Sequence, residues 1–278
     1  MNLPGGLSID FTGTALIMAV INCNDNSFYP ESRNTIQTAV ENALLAEEAG
    51  AAIIDFGGES SRPGSEYIDA GEELSRVIPA IESFRKKSCL PISIDTRKSE
   101  VARAALDAGA DIINDISALK DEKMAPLCAE RGAPVVLMHM KGVPSNMQES
   151  VFYHDVFAEV KTFLLAAAEK AISAGISVEN IILDPGFGFG KNTSDNLVLL
   201  ARLAEMKMTG YPLLAGLSRK SFIGELTGRS VNDRLAGTLA VNAIAVNSGV
   251  NILRVHDVKE NADLIKIFSA VKKIRLQE

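Results

Sequence analysis

Residues able to do chemistry collect at the ends of short apolar runs in this 278-residue chain. Asn22 ends "ALIMAVIN", Asp55 and Glu59 fall in and after "AAIIDFGG", and Asp95 and Arg97 end "PISIDTR". Asn114 and Asp115 lie in "ADIINDIS", Met138 and His139 end "PVVLMHM", and Asp184 ends "IILD". Ser218, Arg219 and Lys220 close the run from Pro212, and Arg254, His256 and Asp257 close "NILRVHD". Two kinds of pocket can be made from this set. Asp95, Asp184 and the Asn114 amide are acceptors suited to a flat heterocycle with several N–H donors, and Lys220 adds a donor for a ring nitrogen or carbonyl. Arg254 and His256 flank Val255, so in a strand they point to one face; with the cations of the seventh run they indicate a phosphate or pyrophosphate site. Singly, Asp55, Asp95 and Asp184 serve equally well as caps or ion-pair partners, and His139 between methionines reads best as a satisfied core histidine.

The stretch "MAVINCNDNSFYPESR" turns from a buried strand to Asn22, Asn24, Asp25, Asn26 and Ser27 within one step. Such residues make turns, and they also build functional loops.

Eight runs of this kind recur, each nearly continuous in aliphatic or β-branched residues, as strands buried on both faces of a parallel sheet require. Amphipathic helical segments lie between them. In "TIQTAVENALLAEEAG", Ile36, Ala39, Val40, Ala43 and Leu44 form one side, and Gly50 supplies the stop. Unbroken β-α alternation predicts a (β/α)₈ TIM barrel over residues 1–278 as a single domain, opened by a short hairpin in residues 1–13 that caps its bottom. The rival, an open doubly wound sheet, commonly carries a Gly-rich first turn, and here that turn is Asn-rich. In a barrel the run ends would all meet at one rim.

Hydrophobic residues make up 47% and charged residues 23% of the chain, the profile of a globular protein, and the formal net charge of −7 argues against a nucleic-acid surface. Small-molecule substrates are expected, with no nucleic acid and no membrane partner. Cys23, Cys89 and Cys128 show neither disulfide nor zinc spacing, and no segment reads as a leader or a membrane span. A cytoplasmic location is expected.

The motifs "GGESSRPG", "PISIDTRK", "NDIS", "LMHMKGVPSNMQ", "LDPGFGFGK", "LSRKSFIG" and "RVHDV", in this order along nearly the whole chain, resemble the dihydropteroate synthase family. The resemblance implies a transferase that joins 6-hydroxymethyl-7,8-dihydropterin diphosphate to p-aminobenzoate in folate synthesis, diphosphate leaving first. It implies that Asp95, Asn114, Asp184 and Lys220 hold the pterin edge, that Met138 and Phe189 line its pocket, and that Arg254 flanks the ring. Asn22, Ser61, Arg254 and His256 would hold the diphosphate, with Asn22 also reaching Mg²⁺. Phe28, Arg62, Pro63, Lys220 and Ser221 would shape the p-aminobenzoate site. Asn22, Lys220, Arg254 and His256 are the implied catalytic set, and a homodimer is the implied assembly.

In the family the first loop reads N-V-T-P-D-S-F-S-D-G, whereas here it reads "NCNDNSFYPE". Asn22, Ser27 and Phe28 remain, while the two loop acids give way to Asn26 and Pro30, with Asp25 and Glu31 each one residue away. A pterin-dependent corrinoid methyltransferase would need the carboxylates but not the diphosphate set, and a non-catalytic pterin-binding paralogue would need neither loop acid.

Overall fold

Each apolar run becomes a parallel strand in the computed structural model, which describes residues 1–4, 6–23, 36–61, 64–142, 144, 147 and 151–275. The strands are β1 (Leu16–Asn22), β2 (Ile53–Gly57), β3 (Ile92–Asp95), β4 (Ile112–Asp115), β5 (Val135–Met138), β6 (Ile181–Asp184), β7 (Leu214–Ala215) and β8 (Ile252–Val255). Helices α1 (Ile36–Glu48), α2 (Ala70–Arg85), α3 (Ser99–Asp107), α4 (Met124–Arg131) and α5 (Val156–Ser173) alternate with them in the first half. In the second half follow α6 (Thr193–Ala201), α7 (Leu203–Lys207), α8 (Ser221–Thr227), α9 (Leu235–Asn247) and α10 (Val258–Arg275).

Strand order runs β6-β5-β4-β3-β2-β1-β8-β7, so β1 pairs with both β2 and β8 and the sheet curls into a (β/α)₈ barrel. The ring meets between β6 and β7 at one parallel bridge, Leu183 with Leu213, where the Leu183 amide donates to the Pro212 carbonyl at 2.9 Å. β7 keeps only two residues of the apolar run at 212–218. Pro212 has no N–H to give a ladder, and Gly216 beyond has no side chain to pack.

Helix ends follow local chemistry. Asp69 and Asp155 cap α2 and α5 by accepting the Glu72 and Ala158 amides at 2.8 and 3.0 Å. Asn192 and Asp195 form a reciprocal capping box on α6. Gly50, with φ of 105°, follows α1 in a conformation that a side chain would resist.

Successive strand residues alternate between two cores. Outward residues such as Ile54, Phe56, Ile94, Ile113 and Leu183 pack against the helices. Inward, Met18, Ile53, Ile112, Val136, Ile182, Leu214 and Ile252 form a fully buried apolar layer. Leu3 and Ile9 close that layer from below. They come from the expected N-terminal hairpin, paired antiparallel at Asn2 and Ser8, with the Ile9 amide donating to Met1 O at 2.9 Å. The polar residues therefore stand above an apolar floor.

Candidate active site

Two positions further along the strands, the inward face becomes charged. Arg254 on β8 donates from Nε to Asp55 Oδ2 on β2 and from Nη2 to Asp95 Oδ2 on β3, both at 2.7 Å. Asn114 on β4 donates from Nδ2 to the same Asp55 oxygen at 3.2 Å. Desolvation opposes the Arg254 charge, but Asp55 and Asp95 outweigh it and raise its pKa. Desolvation lifts the Asp95 carboxyl to about 7; Arg254 pulls it down, while Asp55, Glu73 and Asp115 push it up. Sequence spacing alone makes Arg254 a cation in need of an anion. In the fold Arg254 also has two carboxylate partners from strands far away in the chain.

Asp184 ends β6 and starts the loop that shapes the neighbouring wall. Its Oδ1 accepts the Gly186 amide at 2.7 Å. Gly186 has φ of 68°, and a Cβ there would lie 1.9 Å from the His139 carbonyl oxygen, so no other residue fits. Lys191 ties the loop down by donating to the carbonyls of Gly186 and Phe189 at 2.9 and 3.1 Å and contacting His139 Nδ1 at 2.9 Å. Phe189, Met138, Ile116, Met140 and Met147 then form an apolar patch above the charged layer. Lys220 Nζ sits 4.1 Å from the centroid of the Phe189 ring. Desolvation and the Arg254 charge lower its pKa to about 8, against the pull of Asp184 and Asp95. It is still mainly cationic at pH 7.

On the other side of the rim, Asn22 ends β1, and with His256 it stands among the lining of a cleft of about 440 Å³ that runs along β1 between α1 and the first residues of α10. Ser218 Oγ accepts the His256 amide at 3.3 Å and lies 3.0 Å from His256 Nδ1. The hydroxyl has one proton and two lone pairs, so it can pair with Nδ1 in either tautomer of the neutral ring. Desolvation of the ring's inner edge, then Arg254 and Arg219, lower the His256 pKa, so the ring is neutral at pH 7. His256 as a whole is exposed, so the two guanidinium charges are the firmer cause. His256 is thus a neutral ring with one donor and one acceptor nitrogen.

Arg219 and Lys220 read in sequence as a basic cluster, but they part company in the fold. Arg219 donates from Nε and Nη2 to the Asp257 carboxylate at 2.9 and 2.5 Å, so its charge is spent inside the protein. Its φ of 57° is left-handed. That conformation is held because its amide donates to Thr238 Oγ1 and its carbonyl accepts from Arg234 Nη1, each at 3.0 Å. The strained residue sits between Ser218 and Lys220.

Ser61 is half-buried in the loop after β2, and the exposed Ser221 opens α8 directly after Lys220. Phe28, Arg62 and Pro63, with the loop acids Asp25 and Glu31, lie outside the described residues. Glu59 and Arg97 turn away from the charged layer into a network in which Glu59 accepts from Arg97 Nη2 at 2.6 Å and Lys98 Nζ at 2.7 Å. Lys98 also reaches Glu73 at 2.5 Å. Asp115 faces the helices and accepts the Ser117 and Leu119 amides at 2.8 and 2.7 Å. His139 is the buried core histidine its neighbours suggest, with its pKa lowered to about 3 by desolvation and the Lys191 charge. Sequence reasoning passed over Lys98, Glu73 and Lys191. The only signal for Lys191 is its place at the end of "GFGFGK", and Glu73 looks like any surface acid of α2 although it is fully buried.

The model of the pterin binding enzyme family matches residues 18–256. The dihydropteroate synthase of Escherichia coli K12 is 46% identical over 266 residues, covering 95% of this chain and 94% of that protein. Among solved structures, Xanthomonas albilineans dihydropteroate synthase with 4-aminobenzoic acid superposes with a TM-score of 0.91 at 42% identity, covering 96% of each chain. The same enzyme in complex with 7,8-dihydropteroate gives a TM-score of 0.86 at 41% identity, covering 95% of each chain. The charged layer over an apolar floor and these likenesses lead to one conclusion: the chain belongs to the pterin-binding enzymes and, among them, to the dihydropteroate synthase family of transferases.

Proposed function

We propose that the chain condenses 6-hydroxymethyl-7,8-dihydropterin diphosphate with p-aminobenzoate, giving 7,8-dihydropteroate and diphosphate by departure of the diphosphate before attack. The observation that carries this reading is the buried set Asp95, Asn114 and Asp184 beside Lys220, under the apolar patch of Met138 and Phe189. Acceptors on one edge and flat apolar surface above suit a pterin. Arg254, held from behind by Asp55 and Asp95, flanks the ring and keeps its Nη1 donors for the substrate. Asn22, Ser61, Arg254 and His256 hold the diphosphate.

Mg²⁺ fits the residues at this rim. No three His, Cys, Asp or Glu converge among the described residues, but the Asn22 amide oxygen is a hard donor in the cleft that His256 also lines. A magnesium ion that keeps substrate oxygens and water as most of its ligands needs few from protein. When bound, it offsets charge on the leaving diphosphate. Arg254 and neutral His256 donate to the same developing charge, an effect of roughly 3 kcal/mol per donor in comparable sites. As the C–O bond breaks, Asp95 and Asp184 face the cation left on the pterin. The p-aminobenzoate amine, seated by Phe28, Arg62, Pro63, Lys220 and Ser221, forms the new C–N bond with the electron pair on its nitrogen and releases a proton to solvent, while the diphosphate keeps the electron pair of the broken C–O bond.

The test is diphosphate release with Mg²⁺ from the native chain and from Arg254→Ala, with and without p-aminobenzoate. Pteroate from the native chain, lost in the variant, supports the reading; absence of both products in the native chain overturns it, methyl transfer included among the replacements. Pairing of two copies is proposed through the exposed Ile244 of α9 and Ile267, Val271 and Ile274 of α10, and sedimentation at micromolar concentration checks it. No helix among the described residues is long and apolar enough to cross a membrane, and the free cysteines fit the proposed cytoplasmic location.

A further inference from the structure

Asp55 is a fully buried member of the charged layer, and the proposed reaction gives it no contact with either substrate. Its Oδ2 takes two donors at once, Arg254 Nε at 2.7 Å and Asn114 Nδ2 at 3.2 Å. Its Oδ1 is buried and has no hydrogen-bond partner among the described residues, and the same holds for Ser93 Oγ, its neighbour in register on β3. Asp95 already gives Arg254 one carboxylate partner. A second buried carboxylate carries a desolvation cost of several kcal/mol, so its retention calls for another role.

That role follows from which atoms it holds. An amide in a barrel wall can face a pocket with either end. Asn114 Nδ2 is drawn back to Asp55, which leaves its carbonyl oxygen as the end available to a ligand. The same carboxylate oxygen fixes the Nε edge of Arg254 and so sets the plane of the guanidinium. We propose that Asp55 is a positioning residue for the heterocycle end of the site, a single buried oxygen that orients both the Asn114 amide and the Arg254 guanidinium toward an N–H-rich ring. This rests on the synthase reading for the identity of the ring, though the orientation itself does not depend on turnover.

Two variants separate charge from placement. Asp55→Asn removes the charge; Asp55→Glu keeps it and moves the oxygen by one methylene. The probe is 6-hydroxymethyl-7,8-dihydropterin diphosphate, titrated by calorimetry without p-aminobenzoate, followed by KM values for both substrates and the pH profile of kcat/KM. Both variants are expected to bind the pterin diphosphate at least about tenfold more weakly, with the KM for p-aminobenzoate changed less than about twofold. The charged groups that act on Asp95 are Arg254 from β8, Asp55 from β2, Glu73 from α2, Asp115 from the outward face of β4 and Lys220 after β7. In Asp55→Asn one like charge is gone and Arg254 turns wholly to Asp95, so the acid limb of the profile moves to lower pH; in Asp55→Glu it stays. Folded variants with native pterin affinity and an unmoved acid limb overturn the proposal. Equal loss for both substrates, or failure of both variants to fold, overturns it as well, since Asp55 would then serve stability alone. A native chain that binds the pterin diphosphate but makes no pteroate defeats the synthase reading and leaves the orientation of Asn114 and Arg254 still measured by the titration.

Discussion

The same strands build two interiors only two residues apart. Ile53, Ile112, Ile182 and Ile252 make a dry apolar floor, and Asp55, Asn114, Asp184 and Arg254 on the same strands make a charged ceiling about 7 Å above it. In the floor, affinity between neighbours is nondirectional and any well-shaped aliphatic set would serve. In the ceiling, Asp55, Asp95, Asn114 and Arg254 hold one another through directed hydrogen bonds, and changing one residue strands another. Stability and function are therefore stacked along a common axis instead of being divided between regions of the chain.

Variants at each level test that division. Arg254→Ala is expected to have the largest effect, because it strips Asp55 and Asp95 of their common partner: turnover disappears and urea unfolding shows a loss of about 3–5 kcal/mol. Ile182→Ala in the floor should cost about 2–5 kcal/mol of stability with KM for both substrates unchanged, measured by the same unfolding curve and steady-state kinetics. If that variant alters KM for the pterin as much as stability, the two levels are not separable.

Protons sharpen the contrast. His139 has its pKa lowered from 6.5 to about 3, so the unfolded chain binds a proton that the folded chain refuses. The stability linked to His139 is complete above pH 6.5 and declines as pH falls toward 3. Asp95, raised from 3.8 to about 7, has the opposite sign: the folded chain holds its proton more tightly between those values, so acidification through that window favours folding while it removes the anion the site uses. His139→Gln should therefore flatten the acid-side fall of Tm, and the native pterin affinity should weaken as pH drops below about 7. A Tm slope unchanged in the variant would remove His139 from the account. Smallest of all, Met138→Leu replaces the apolar member of the ceiling at nearly equal volume, and should change stability by less than about 1.5 kcal/mol and show itself only in pterin KM.

Much of this stacking is legible in the sequence. Continuous aliphatic runs give buried parallel strands, and the polar residue ending each run marks the rim. The pairing of Asp55 with Arg254 is not legible, since 199 residues separate them and only closure of the ring brings β2 and β8 to either side of β1. For the same reason Arg254 looks like a free cation in sequence and is an ion-paired one in the fold. Arg219 hides its left-handed backbone, because nothing about an arginine announces φ above zero when distant Thr238 and Arg234 hold it there. Lys191 and Glu73 are missed because burial of a charge depends on three-dimensional neighbours. Gly186 is the reverse case: "DPGFGFG" signals a turn, and its turn proves to be sterically obligatory.

The joint between β6 and β7 puts the barrel's one slack boundary inside the site. Seven strand boundaries carry regular ladders, and the eighth has a lone bridge at Leu183. Asp184 ends the strand on one side of that joint, and Lys220 follows the strand on the other. A hoop with a single loose clasp adjusts its circumference at the clasp. The span from Asp184 to Lys220 is thus the dimension of the pocket that can widen for a bulky ring at least expense to the rest of the barrel, and the Leu183 amide is where hydrogen exchange would register it first.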